Sequence, residues 1–208
     1  MPEADGTLRE ARFWLPTYAA LCTALAACFL ALYVLSAFGP SKEISRAQLY
    51  KQLVGMQTRA FGEIRAFLVQ NGMESGVEAV LEEASIILRL PEEAIFAPGA
   101  EQILPTGFPV LNQLGELFLL QPQQTINIRG HTDDSPLPPG SRYRDNGEFS
   151  ALRAVHILRH LLARGIEPWR VTAAGFGALE PLFPNTTETN RAKNRRIEFV
   201  LERRLGKE

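Results

Sequence analysis

The sequence predicts an α/β fold: a single N-terminal transmembrane helix, a helical linker, and then a domain in which a sheet carries packed helices. Three observations carry this. No residue from Phe13 to Ser41 is charged. Spacings of three and four alternate from Ala47 to Leu68 along a mostly apolar seam. From residue 80 onward, short runs of period two are interleaved with longer helical ones. The composition agrees, with 46% hydrophobic and 22% charged residues among 208. It excludes a wholly disordered chain, a collagen-like fibre and a disulfide-stapled miniprotein. The 22 Lys and Arg nearly cancel the 23 Asp and Glu, so no global charge points to nucleic acid.

The uncharged stretch is long enough for a bilayer. As a helix, residues 13–41 would run about 43 Å, and a hydrocarbon core needs about 20 apolar residues. The best span is Tyr18 to Phe38. Trp14 and Tyr18 stand at one end and Tyr33 and Phe38 approach the other, as an aromatic belt would. Pro16 falls near the expected helix start, where a missing N–H costs little. Gly39-Pro40 ends the span. A cleaved signal peptide has a shorter apolar core and a small-x-small site. Leu35-Ser36-Ala37-Phe38-Gly39 is a poor match to one, so an uncleaved anchor is expected. Arg9 and Arg12 before the span balance Lys42 and Arg46 after it, which leaves orientation open. Cys22 and Cys28 lie inside the span on different helix faces, against an intrachain disulfide.

Residues 43–70 read as a helix. Ala47, Tyr50, Val54, Gln57, Phe61, Ile64 and Leu68 form a seam with one polar interruption. Such a seam directly after a membrane span suggests two parallel copies, a homodimer. Packing on the chain's own domain is the alternative. Asn71-Gly72 breaks the helix.

The domain follows. Residues 85–90 form a strand, Pro98-Gly99 a loop, Phe108 to Leu120 an apolar helix and residues 125–130 an alternating strand. A Pro/Gly loop runs from Ser135 to Gly147. Ser150 is placed to cap a helix that runs to Arg164, with Gly165 beyond it. Val171 to Ala174 is a short strand, Gly175-Phe176-Gly177 reads as a turn, and a last strand covers 195–202. The expected divisions are a short N-terminus at 1–12, the span at 13–41, a linker at 42–79 and the domain at 80–208.

Gly130-His131-Thr132-Asp133-Asp134 is the densest polar cluster, just past a strand's C-terminal end, where α/β folds commonly place a site. Asp133 suits a cation or an ammonium group. Arg153 falls in the first turn of the expected helix, where positive charge opposes the macrodipole. The position makes sense if Arg153 serves an anion. The two together suit a zwitterion, and an internal Asp–Arg salt bridge fits the spacing equally well. His156 and His160 have metal-ligand spacing, but no third ligand is near and the glutamate of H-E-x-x-H is missing. Two surface histidines are the better reading. No nucleophile, base or metal set suggests an enzyme, and no cofactor is expected. Arg191, Lys193, Arg195, Arg196, Arg203, Arg204 and Lys207 make the C-terminus basic, read as a solvated edge in preference to a nucleic-acid or lipid patch.

Several motifs occur together in one order. They are Ile95-Phe96-Ala97-Pro98-Gly99-Ala100, Gly130-His131-Thr132-Asp133, Asn146, Phe149-Ser150-Ala151-Leu152-Arg153-Ala154, Gly165-Ile166, Gly175-Phe176-Gly177, Pro181, Asn185 and Asn194-Arg195-Arg196. This ordered set, over roughly residues 85–203, resembles the OmpA/MotB family of peptidoglycan-binding domains. The resemblance implies a β/α/β/α/β architecture with a mixed sheet that binds, without catalysis, the peptide stem of peptidoglycan. It implies that Asp133 and Arg153 hold diaminopimelate, a zwitterionic end group. By the same resemblance Thr132 and Asn146 orient the ligand, and Arg195 or Arg196 lines the groove or braces the sheet.

Trp14 to Thr23 looks like the start of the MotB membrane helix. The layout implies a single-pass protein of the bacterial inner membrane with its C-terminal domain in the periplasm. It also implies a multi-span MotA-like partner, with Lys42 to Val54 in the place of a channel plug. One departure matters. The family's ion-carrying Asp follows Tyr-Ala, and this chain has Ala20 there. An intramembrane carboxylate is kept only for function, and without one this helix relays no proton. Two readings follow: a wall anchor tied to a membrane complex, or a stator subunit of an ion-driven motor whose usual Asp is replaced by Ala20.

Overall fold

The computed structural model describes residues 4–38 and 42–204, with side chains described over 16–36 and 48–204. The chain forms two compact units, Met1–Tyr50 and Lys51–Glu208.

In the first unit, helix α1 spans Ala4–Phe38. It starts well before the expected span, so Pro16 lies inside the helix rather than in its first turn. A proline there removes one backbone hydrogen bond. Pro16–Ser36 has the length and apolarity to cross a membrane. Leu21, Leu25, Phe29, Leu32, Tyr33 and Leu35 are all exposed. The Thr23 hydroxyl donates to the Ala20 carbonyl at 2.9 Å and Ser36 to the Tyr33 carbonyl at 3.0 Å. Both hydroxyls are thus satisfied within the helix. Cys22 and Cys28 are unpaired. The side chains of Arg9, Arg12, Trp14, Phe38, Lys42, Arg46 and Ala47, and the break at Gly39-Pro40, lie outside the described residues, as does Lys207.

Helix α2 covers Lys42–Gln70. Its seam turns inward over its second half: Gln57, Ile64 and Leu68 are buried, Ile64 and Leu68 in the domain's own core with neighbouring Ala60, and Val54 and Phe61 are half-buried. Over these residues the expected contact with a second copy gives way to packing within the chain, while Tyr50 stays exposed. The polar interruption explains the outcome. Gln57 donates to the Ala84 carbonyl at 2.8 Å and accepts from the Gln124 amide at 2.6 Å. A buried amide keeps its place only where such partners exist. The compact unit therefore begins at Lys51, ahead of residue 80.

The rest of the domain is β1 (Glu78–Glu82), β2 (Ser85–Pro91), α3 (Gly107–Leu120), β3 (Gln124–His131), α4 (Asn146–Ala163), β4 (Val171–Gly177), α5 (Glu188–Asn194) and β5 (Arg196–Arg203). The sheet order is β1-β2-β5-β3-β4. Strands β3 and β4 are parallel and every other pairing is antiparallel, so the sheet is mixed. Strand β1 and helix α5 were not anticipated. Strand β1 is a short edge strand, and α5 is a helix of two turns capped by the Thr187 side chain. One sheet face supplies Ile86, Leu88, Leu90, Ile126, Ile128, Ile197, Phe199 and Leu201 to the core. The helices supply Leu111, Leu114 and Phe118 from α3 and Ala154, Ile157 and Leu161 from α4. Each large side chain removed from water contributes about 1.5–3 kcal/mol.

Helix α4 begins four residues before Ser150. Its N-cap is Asp145, whose carboxylate accepts from the Glu148 amide at 2.8 Å. Ser150 instead sits inside the helix, where its hydroxyl donates to the Gly147 carbonyl and accepts from the Gly177 amide at 2.9 Å. Gly175-Phe176-Gly177 is not a turn but the end of β4. Its glycines are required by proximity. A Cβ at Gly175 would overlap the Ala151 amide nitrogen and the Gly147 carbonyl, and one at Gly130 would overlap the Ser150 carbonyl. The first turns of α4 therefore lie directly on β3 and β4.

Candidate functional site

That close approach places the start of α4 beside the segment leaving β3. A cavity of about 360 Å³ opens there. Thr132, Asp133, Asn146, Phe149 and Arg195 line it, with Glu92, Glu93 and Phe96 on the β2 side and Glu188 from α5. The Thr132 amide donates to the Gly177 carbonyl at 2.9 Å, and its hydroxyl donates to the Asp133 carbonyl at 2.9 Å. The Asn146 amide donates to the Ser135 carbonyl at 2.9 Å and fixes the loop after Asp133.

The expected Asp133–Arg153 pair is not formed. Asp133 pairs with Arg195 at 2.5 Å and accepts from the Ser135 amide at 3.0 Å. Burial acts to raise the Asp133 carboxyl, but the hydrogen bonds from Arg195 and Ser135 outweigh it and hold the group below its ordinary value. Arg153 is 1% exposed and does not line the cavity. Its guanidinium bonds to the Glu92 carboxylate, to the Ala100 carbonyl at 2.8 Å and to the Ala97 carbonyl at 3.4 Å. It lies over the rings of Phe149 and Phe96, 4.1 and 5.0 Å from their centroids. Burial pushes the Arg153 guanidinium down from its usual value, against the pull of Glu92. Because α4 starts at Asn146, Arg153 is about two turns into the helix and does not oppose the dipole at its first turn. Its buried charge is instead compensated by Glu92.

Glu92 is the residue that sequence reasoning missed. It sits in a short 3₁₀ turn, Glu92–Ala94, directly after β2. It bonds Arg153 and lies 3.7 Å from the Arg195 guanidinium. Arg195 also reaches Glu188 at 2.9 Å. The site is thus a chain of alternating charge, Glu188–Arg195–Asp133 with Glu92 joining Arg195 to Arg153. No local signal marks Glu92, because its partner is 61 positions away.

Arg196 lies elsewhere. Strand β5 turns it to the opposite sheet face, where it donates to Glu198 at 2.8 Å and to the Asn194 and Glu180 carbonyls. Arg89 donates to the same Glu198 carboxylate at 3.1 Å. His131 is stacked on Phe176 with ring centroids 5.2 Å apart. Its Nε2 lies 3.5 Å from Glu198, an ion-pair distance without hydrogen-bond geometry. Burial would raise the Glu198 carboxyl, but His131 and Arg196 draw it far below the usual carboxylate range. Arg196 braces the sheet, and Arg195 faces the cavity.

The other expected residues also have partners. His160 meets Asn112 at 3.0 Å and packs on Phe108; His156 is 3.8 Å from Glu101. Both are half-buried rather than surface groups. Others of the basic C-terminal run also have partners within the domain: Arg191 with Asp134, Lys193 over Phe183 and Arg204 over Trp169. Asn194, fully buried, accepts from the Leu182 and Phe183 amides and donates to Asn185.

A mixed sheet with α3 and α4 packed on one face, carrying a charged cavity between the β3 exit and the start of α4, defines an α/β ligand-binding domain that follows an apolar helix in the chain. The chain belongs to the OmpA/MotB family. Residues 95–195 match the OmpA family. The structure is similar to that of a MotB-like protein from Desulfovibrio vulgaris, with 49% identity and a TM-score of 0.73, over 75% of this chain and 99% of that one. Motility protein B of Helicobacter pylori is 25% identical over 89% of this chain and 84% of its own length. The match to motility protein B of Bacillus subtilis, at 26% identity over 67% of this chain, spans only 53% of that protein. The peptidoglycan-binding protein ArfA of Mycobacterium tuberculosis is 31% identical over 51% of this chain and 31% of its own length.

Proposed function

We propose that this chain is a non-catalytic, membrane-anchored peptidoglycan-binding protein. Helix α1 holds it in the bacterial inner membrane, and the domain from β1 to β5 takes the peptide stem of the cell wall in the periplasm. The observation that carries this is the half-open cavity, which Asp133 lines with Thr132 and Asn146 beside it. Its size suits the end of a peptide side chain. Asp133 receives the ammonium of diaminopimelate in exchange for Arg195. Arg153, held by Glu92 and the Ala97 and Ala100 carbonyls, orders the wall of the site from beneath. The similarity to ArfA supports the ligand class.

The test uses the full chain in mild detergent with purified sacculi. Wild type is expected in the pellet and Asp133→Ala in the supernatant, with the two proteins melting within a few degrees of each other. Equal retention of both overturns the site.

A second reading has a specific observation behind it. The Helicobacter motility protein B aligns over 89% of this chain, and α1 offers an exposed apolar surface over Pro16–Ser36. In this reading the chain is a stator-type subunit, two copies of which sit with a multi-span MotA-like protein that supplies the ion-carrying carboxylate absent at Ala20. Purification from the native membrane separates the two. A co-purifying multi-span protein favours the stator, and peptidoglycan fragments alone favour the plain anchor.

A further inference from the structure

Helix α5 separates two hollows. On one side is the cavity of Asp133 and Arg195. On the other, a second cavity of about 450 Å³ lies between the turn into β1, the end of β2 and α5. Pro91 and Ala192 line both. Both are exposed and small, so the ridge between the hollows is low there. The two hollows differ in charge. Four carboxylates face Arg195 in the first. The second carries Arg89, Lys193 and Arg196, with Glu74 and Glu78 on the side of the β1 turn. Arg89 and Arg196 are already held by Glu82 and Glu198. Lys193 is not held in this way. Its ammonium lies over the Phe183 ring, 4.8 Å from the centroid, and no described carboxylate pairs with it. The other cation of α5, Arg191, is paired with Asp134. Lys193 is thus a cation kept at a cavity by an aromatic ring, with no ion-pair partner.

In a stem peptide, diaminopimelate follows a D-glutamyl residue joined through its γ-carboxyl, which leaves the α-carboxylate of that residue free. An extended peptide advances about 3.5 Å per residue, so the residue next to diaminopimelate is within reach of a hollow that shares a wall with the first. Resting on the peptidoglycan reading, we propose that Lys193 is a ligand-binding residue: with the diaminopimelate ammonium at Asp133, the stem peptide crosses α5 at Ala192, and the D-glutamyl α-carboxylate pairs with the Lys193 ammonium in the second hollow. Glu74 and Glu78 repel that carboxylate from the facing wall, which favours one direction of the peptide. Leu182 and Phe183 give its methylene groups an apolar wall.

Two synthetic tripeptides test this, L-Ala–D-γ-Glu–meso-diaminopimelate with the D-glutamyl α-carboxylate either free or amidated. Each is titrated calorimetrically into the full chain in mild detergent at low salt. Wild type is expected to bind the free acid about threefold to fivefold tighter than the amide. Lys193→Gln is expected to level the two, and Lys193→Glu to reverse their order. Lys193 is exposed, so both variants are expected to fold. Arg204→Gln removes a cation at the other end of β3, beside Gln123, and is expected to keep the wild-type preference. Equal binding of the tripeptides by wild type, or tighter binding of the amide, overturns the proposal. So does a preference for the free acid that survives in Lys193→Gln, and so does its loss in Arg204→Gln as fully as in Lys193→Gln. Wild type that is retained by sacculi but binds neither tripeptide overturns this inference only. Loss of sacculus binding by wild type overturns the peptidoglycan reading and this inference together.

Discussion

Two clusters of arginine and carboxylate flank the start of β5, and they differ in kind. In the first, Arg195 joins Asp133, Glu188 and Glu92 at a cavity wall, its side chain 29% exposed. In the second, Arg196 joins Glu198, with Arg89 and His131 close by, and the Arg196 and Glu198 side chains are each 5% exposed. The residues are neighbours in sequence. Arg195 closes α5 and Arg196 opens β5, whose pleat turns Arg196 to the face opposite Ile197. The first cluster is open on one side: the Asp133 side chain is only 8% exposed, but Arg195 and Glu188 reach water, so Arg195 keeps partners and solvent when a ligand takes Asp133. The buried one has no water to fall back on, and losing a partner strands a charge. The first is suited to binding and the second to holding the sheet.

This contrast can be broken. Glu198→Gln leaves Arg196 buried without its carboxylate, while Arg89 keeps Glu82. It is expected to cost about 3 kcal/mol, read as a lowered midpoint in chemical denaturation, with sacculus binding retained while the protein is folded. Gly175→Ala drives a methyl into the backbone of α4 and is expected to cost about 2 kcal/mol or more. Because α4 also shapes the cavity, that variant is expected to lose stability and sacculus retention together.

Acid acts on both clusters with the same sign. Glu198 and Asp133 have folded-state values below their ordinary ones. The stability they contribute is complete above the unfolded carboxylate value, about 4. It is lost as pH falls through the folded-state values. Denaturation midpoints measured from pH 7 downward are therefore expected to fall below about pH 4, and Glu198→Gln is expected to flatten that limb more than Asp133→Ala. Asp145→Ala removes the N-cap of α4 and is expected to cost about 1 kcal/mol. The smallest effect on stability, about 1 kcal/mol or less, is expected for Asp133→Ala, the variant expected to lose sacculus binding altogether. A large destabilisation by Asp133→Ala would erase the distinction between the clusters.

Much of the fold was legible because periodicity is a local property. The alternation at Ile197, Phe199 and Leu201 and the apolar run of α3 mark their elements without reference to the rest of the chain. Strand β1 was missed because its flanking glutamates, Glu78 and Glu82, make a weak edge signal, although they share the sheet face that carries Arg89. The start of α4 was displaced because Ser150 looks like a cap, whereas the side chain that caps is Asp145, inside a stretch that reads as loop. The seam of α2 read as a possible contact between copies, since an apolar seam does not name its partner. Gln57 settled part of that question only through Gln124, 67 positions away.

The site divides in the same way. Asp133, Thr132, Asn146 and Arg195 were visible as a motif and do meet at one cavity. The pairing of Asp133 with Arg195, and of Arg153 with Glu92, was not visible. Sequence alone determined which residue types are present, which segments are apolar with which period, and that no residue from Phe13 to Ser41 is charged. Only the tertiary structure decided which carboxylate each arginine meets. Ion pairing depends on separations of a few ångströms, and those are set by chain reversals that bring residues dozens of positions apart to one point.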